Sequence, residues 1–181
     1  MNFMVTKQNG IYITWGIFQR RTESLASNLN LHKLYYYYTW EDRSKLHKLC
    51  SYFLKSINLV ADLIGIKPNI TFIQLPPTPV LYIVALYCKV SGNKYVADCH
   101  NAMLYSSKWF KWPLTKRLLR KADAILVHNE DVRDFAKSLG LTATILRERG
   151  NRYRTTCLRH AREKAFTGIF RDGHPLTLMV S

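Results

Sequence analysis

Asp98, Cys99, His100 and Asn101 close a short apolar and β-branched run that reads as a strand over residues 94–98. A carboxylate, an imidazole and an amide at the carboxyl end of a strand stand where open α/β sheets hold their ligands. Such a cluster can offer hydrogen bonds and a titratable ring to a bound molecule. The competing structural reading of His100 is a strand-end histidine that caps a turn.

Other chemistry-bearing positions follow the same logic. Gly16 directly follows a first strand over 11–15, and Arg20 and Arg21 stand near the start of the next helix. Cations there oppose the helix dipole, so a bound anion explains them better than helix stability does; a solvated basic turn is the alternative. A third strand over 70–75 runs into Pro76, Pro77, Thr78 and Pro79. Prolines cannot donate to a ladder, so the strand ends there and a helix can start. A fifth strand over 124–127 ends at His128 and Asn129.

These positions need a scaffold, and its pattern is alternating. The first strand lacks apolar and polar alternation and reads as buried on both faces. A helix with Leu25 and Leu29 on one face follows, then a strand over 32–38 and a turn over 40–43. Ser44 is placed to cap a helix running to Gly65, whose Leu46, Leu49, Phe53, Ile57, Val60 and Ile64 recur at three and four residues. That stripe reads as a core face with Lys45, Lys48 and Lys55 off it, a membrane-facing role being the alternative. Residues 100–112 read as a loop, and Pro113 suits the first position of a helix that turns Leu114, Leu118, Leu119 and Ala122 inward. Asn129 can cap a helix that Gly140 ends, and a sixth strand spans 142–146. The β-α-β-α alternation predicts a Rossmann-like α/β domain: a parallel sheet with right-handed crossovers and helices on both faces. Gly16, the proline segment, Asp98 to Asn101 and His128 would then line one sheet edge.

At 181 residues with 48% apolar side chains, the chain can build one cored domain but not two full α/β domains. A formal charge of +15 implies attraction to phosphate without saying whose. Cys50, Cys88, Cys99 and Cys157 are scattered, which indicates neither a metal site nor a disulfide framework. The first ten residues lack the apolar run of a signal peptide, and no apolar run reaches the ~20 residues that span a bilayer. A cytoplasmic protein is expected, peripheral on the cytosolic face of a membrane if it meets one.

The composition changes at Leu146. Thirteen lysines and six arginines precede that point, and seven arginines with one lysine follow it. The division is therefore drawn as a domain over 1–146 and an irregular arginine-rich tail over 147–181. A frameshift or truncation explains such a tail, and a nucleic-acid-binding arm is the alternative.

Taken together, "ITWGIFQRRTESLA", "FIQLPPTPVLYIVALYCK", "YVADCHNAM" and "ADAILVHNEDVRDFAKSLGL" resemble the N-terminal, acceptor-side domain of GT-B glycosyltransferases. The likeness is to family 4-like enzymes and to the β-mannosyltransferase that extends dolichyl-diphosphate-linked chitobiose. It covers roughly residues 11–146. The resemblance implies transfer of a hexose from a nucleotide-sugar donor to a sugar or lipid-linked sugar acceptor. It implies that Gly16 admits the acceptor to the backbone, that Arg20 or Arg21 meets its phosphate, and that Pro76, Pro77 and His128 line the same site. His100 would sit beside the reacting sugar as a hydrogen-bond partner or a base, oriented by Asp98 and Asn101. The second Rossmann domain, which would bind the donor, has no counterpart in the sequence. The chain is therefore expected to be inactive alone, with no cofactor of its own.

Lys108, Trp109, Phe110, Lys111 and Trp112 suit an anionic membrane surface, because tryptophan and phenylalanine favour the interface and lysines the headgroups. The alternative is a solvated helix beside buried tryptophans. Two further functions stay open. One is a non-catalytic acceptor and membrane subunit completed by a separate donor-binding chain. The other, a basic nucleic-acid binder, rests on charge alone and lacks any recognition motif, so a nucleic-acid partner is not expected.

Overall fold

The computed structural model describes residues 9–146; residues 1–8 and the arginine-rich segment 147–181 lie outside the described residues. Thirteen elements alternate along the chain: β1 (Gly10–Thr14), α1 (Arg20–Asn28), β2 (His32–Tyr35), α2 (Lys45–Ile66), β3 (Ile70–Leu75), α3 (Thr78–Ser91), β4 (Lys94–Cys99), α4 (Asn101–Tyr105), α5 (Ser107–Phe110), α6 (Thr115–Lys121), β5 (Ala124–Val127), α7 (Glu130–Ser138) and β6 (Thr144–Ile145). The strands form one sheet in the order β2-β1-β3-β4-β5-β6. Every neighbouring pair is parallel. This is the expected Rossmann-like α/β architecture.

The order reverses at β1. The chain steps from β1 outward to β2, then crosses back to place β3 on the other side of β1. Loops leaving β1 and β3 therefore diverge, and a crevice opens outside their carboxyl ends. Right-handed crossovers fix the layers as well, because a step in the opposite direction must cross the opposite face. Leu25 and Ala26 of α1 pack with Tyr12, Phe72, Val96 and Leu126 on one face. Helices α2, α3, α6 and α7 cover the other, where Leu59, Val80, Val84, Leu119 and Val132 join Ile11, Ile73 and Ile125.

The punctuation of the helices follows the side-chain chemistry. Ser44 accepts from the His47 amide at the start of α2, and Asn129 accepts from the Val132 amide at the start of α7. Gly140 takes φ 71° just past α7, where the left-handed backbone suits glycine.

The orientation of α2 overturns an expectation. Leu46, Leu49, Phe53, Ile57, Val60 and Ile64 are exposed, and the packed side carries Ser51, Lys55, Leu59 and Leu63. Lys55 is only 1% exposed and pairs with Glu41. Tyr36, just past β2, donates to Asp62 at 2.5 Å and fixes the same side of the helix inward. A buried charge needs a partner, and one supplied from the turn before the helix lets lysine occupy a core position.

Other departures are smaller. The second strand stops at Tyr35 because its one neighbour, β1, ends at Thr14. The segment expected as a loop holds the short helices α4 and α5. Pro113 precedes α6 rather than opening it. Leu114 between them adopts φ 62° and turns out to solvent instead of inward, while the Thr115 amide bonds the Trp112 carbonyl in a tight turn. Trp109 and Phe110 pack against the core, and Thr78 Oγ1 donates to the Trp109 carbonyl at 2.8 Å. Lys108, Lys111 and Trp112 are exposed and Trp109 is half-buried, so neither tryptophan is fully buried.

Candidate functional site

Parallel strands in register deliver their last residues to one level. Gln74 lies opposite Asp98, and Leu75 opposite Cys99. The carboxyl edge thus presents Gly16 after β1, Pro76 and Pro77 after β3, His100 and Asn101 after β4, and His128 after β5. Asn101 and Arg20 are exposed, whereas Gly16, Pro76, His100 and His128 are half-buried and Pro77 is buried.

Beneath this edge lies a buried charge pair. Asp98 is fully buried, and Arg21 grips it through Nε at 2.9 Å and Nη2 at 2.8 Å. Tyr12 adds its hydroxyl to the same carboxylate at 2.6 Å, and Arg21 Nη1 donates to the Leu146 carbonyl at 2.9 Å. Burial alone would raise the Asp98 carboxyl, but the hydrogen bonds and charge of Arg21, with the Tyr12 hydroxyl, outweigh it and hold it below its ordinary value. Tyr12 is pushed well up by burial and by Asp98 beside it.

This geometry revises two expected roles. The anion that justifies an arginine at the start of α1 is Asp98 itself, 77 residues away, so Arg21 is committed to the core and Arg20 alone of the pair faces solvent. Asp98 is likewise committed to Arg21 and Tyr12. The residue that holds His100 is Gln74, whose Nε2 lies 2.7 Å from His100 Nε2. Gln74 Oε1 accepts from Thr22 Oγ1 at 3.2 Å, and Thr22 Oγ1 lies 3.2 Å from Thr14 Oγ1. With its carbonyl taken by Thr22, the amide presents its NH2 end to the ring. This amide orientation favours the His100 tautomer in which Nε2 accepts and Nδ1 carries the proton.

His128 completes the group. Its ring meets that of His100 edge to face at 4.4 Å. Burial, then the Arg21 guanidinium and the His100 ring when it is protonated, lower its pKa to about 4, so it is neutral at pH 7. Its Nε2 is buried with no hydrogen-bond partner among the described residues. A neutral imidazole with an unpaired buried nitrogen leaves one hydrogen-bonding position for a polar ligand group to satisfy. The thiols lie outside this chemistry: Cys99 is pushed up by burial and then by Asp98, and Cys88 is raised to about 12 chiefly by burial.

Sequence reasoning missed Gln74, Thr22 and Thr14, which read as ordinary strand and helix residues. Gln74 carried one visible signal, a polar side chain inside an apolar strand next to the proline segment. It also missed Ile17 and Phe18, which follow Gly16 and stand 61% and 67% exposed as an apolar lip on the edge. The arrangement can hold a polar, hydroxyl-bearing ligand through Gln74-tethered His100 and neutral His128. No protein-family model matches the chain, and no curated protein matches it.

Proposed function

We propose that this domain is the acceptor-binding half of a GT-B-type glycosyltransferase, holding a sugar, or a lipid-linked sugar, for hexosyl transfer from a nucleotide-sugar bound elsewhere. The observation that carries the reading is the tethered His100–His128 pair set on the carboxyl edge among Gly16, Pro76 and Asn101. Those segments are the ones whose sequence resembles that family. In this reading His100 is a hydrogen-bond partner of the acceptor sugar rather than a base, since Gln74 occupies its Nε2. Exposed Arg20 meets a phosphate, and Ile17 with Phe18 meets an apolar portion of the acceptor. The donor half comes from a separate domain or chain, so this domain binds without turning over.

The test is binding of a short-chain polyprenyl-diphosphate-linked chitobiose to the full chain, followed by saturation-transfer NMR on the sugar protons. Saturation transfer to the sugar is expected, weakened about tenfold or more by His100→Ala, the loss of one or two hydrogen bonds to a desolvated ligand. Arg20→Glu should weaken the diphosphate compound but not free chitobiose. Absence of transfer to either compound would sink the reading.

A further inference from the structure

The long helix α2 leaves its apolar side uncovered. Leu46, Leu49 and Phe53 are 68, 67 and 66% exposed, and Ile57, Val60 and Ile64 continue the stripe. The neighbouring α3 adds exposed Leu86 and Val90. Such a stripe, along a 22-residue helix roughly 33 Å long, is the kind of contiguous exposed apolar surface that marks an interaction site. Its composition would also allow it to cross a bilayer. The buried Lys55–Glu41 pair and the packed Leu59 and Leu63 hold the opposite side on the sheet, so this helix can only lie along a surface.

Charge decides which surface. The only acid in α2, Asp62, is half-buried and accepts from Tyr36. Lys45 and Lys48 stand exposed at one end of the stripe, Lys67 at the other and Lys89 beside Leu86 and Val90; among the described residues, Lys48 alone of these has an acidic partner in contact, Asp42 at 3.2 Å. A second copy docked antiparallel would bring the lysine-bearing ends of both helices together, which costs rather than gains energy. An anionic bilayer accepts both features, with apolar side chains entering the acyl boundary and lysine heads reaching the phosphates.

We infer that the exposed face of α2, with Leu86 and Val90 of α3, is an in-plane docking surface for an anionic membrane. The segment Lys108 to Trp112 is a separate candidate surface, with Trp109 and Phe110 half-buried against the core and Lys108, Lys111 and Trp112 exposed. The inference stands apart from the glycosyltransferase reading, because its test contains no sugar. The first turn of α2 enters from the carboxyl edge that carries His100, so docking brings that edge to the lipid surface.

Cys50 is an exposed thiol on α2, and Cys88 and Cys99 are buried. In a full-length Cys157→Ser variant, a polarity-sensitive fluorophore on Cys50 reports lipid contact directly. Phosphatidylcholine vesicles containing phosphatidylserine should blue-shift its emission, and pure phosphatidylcholine should bind at least about tenfold more weakly. Leu49→Glu with Ile57→Glu should abolish the shift at unchanged circular dichroism, while Lys108→Glu with Lys111→Glu should leave it in place. Three results would overturn the inference: an unshifted probe, a shift that survives Leu49→Glu with Ile57→Glu, or a stable dimer in light scattering that Ile57→Glu breaks.

Discussion

Gln74 and His100 stand 2.7 Å apart, nitrogen to nitrogen, and this contact sets what His100 can do. An amide NH2 facing Nε2 requires an unprotonated nitrogen there. His100 is thus expected to show the Nδ1–H tautomer at neutral pH, read from its imidazole 15N shifts in two-dimensional NMR. Gln74→Glu replaces the donor by an acceptor and should switch the ring to Nε2–H. An Nε2–H tautomer already present in the parent chain would mean that the amide points the other way.

The Arg21–Asp98 pair should behave as one unit. Asp98→Ala strands a buried guanidinium and is expected to cost about 3–5 kcal/mol in urea unfolding. Asp98→Leu combined with Arg21→Met removes both charges and should recover most of that loss. A double variant no more stable than Asp98→Ala would show that the two side chains act separately.

Acid should weaken the fold in two separate windows. His128 titrates near 4 when folded and near 6.5 when unfolded, so between those values only the unfolded chain holds the proton. Stability therefore rises with pH across this interval. It is complete above about 6.5 and falls by at most about 3 kcal/mol on the way down to 4. Asp98 is held below its ordinary 3.8, so its contribution is present above that value and lost only as pH drops through the lower folded value. His128→Gln should flatten the upper window and leave the lower one, as followed by chemical denaturation at stepped pH.

Lys55 should respond unlike any other lysine of α2. Lys55→Ala leaves Glu41 buried without its cation and opens a gap, for an expected loss of about 3 kcal/mol. Lys45→Ala, at an exposed position, should stay within about 0.5 kcal/mol of the parent. Equal thermal shifts for the two would contradict the inward placement of Lys55.

Removal of the α7 cap tests a local feature. Asn129→Ala should cost about 1 kcal/mol, because the Val132 amide loses its acceptor. Asn129→Ser should restore most of it.

The parts of this fold that depend on near neighbours in sequence were legible. Strand runs, the alternation that implies a parallel sheet, the caps at Ser44 and Asn129 and the stop at Gly140 follow from a few adjacent residues. The orientation of α2 was not, because helical periodicity reports that one side is apolar and is silent on whether that side faces inward. The packed stripe hides behind Ser51 and Lys55, and Lys55 is admitted to the core by Glu41, fourteen residues earlier. The same holds at the edge: Arg21 reads as an anion site until Asp98 arrives from five elements further along the chain. Gln74 acquires meaning only when β3 and β4 lie in register.

One guanidinium joins two places. Arg21 neutralises Asp98 under the histidine pair and also clamps the Leu146 carbonyl, the point at which the chain leaves the sheet. Arg21 therefore shares with the Val127 carbonyl the work of holding Leu146 against the sheet, and its charge also acts on His128. The last described residue of the chain and the charge beneath the candidate site thus share one anchoring side chain.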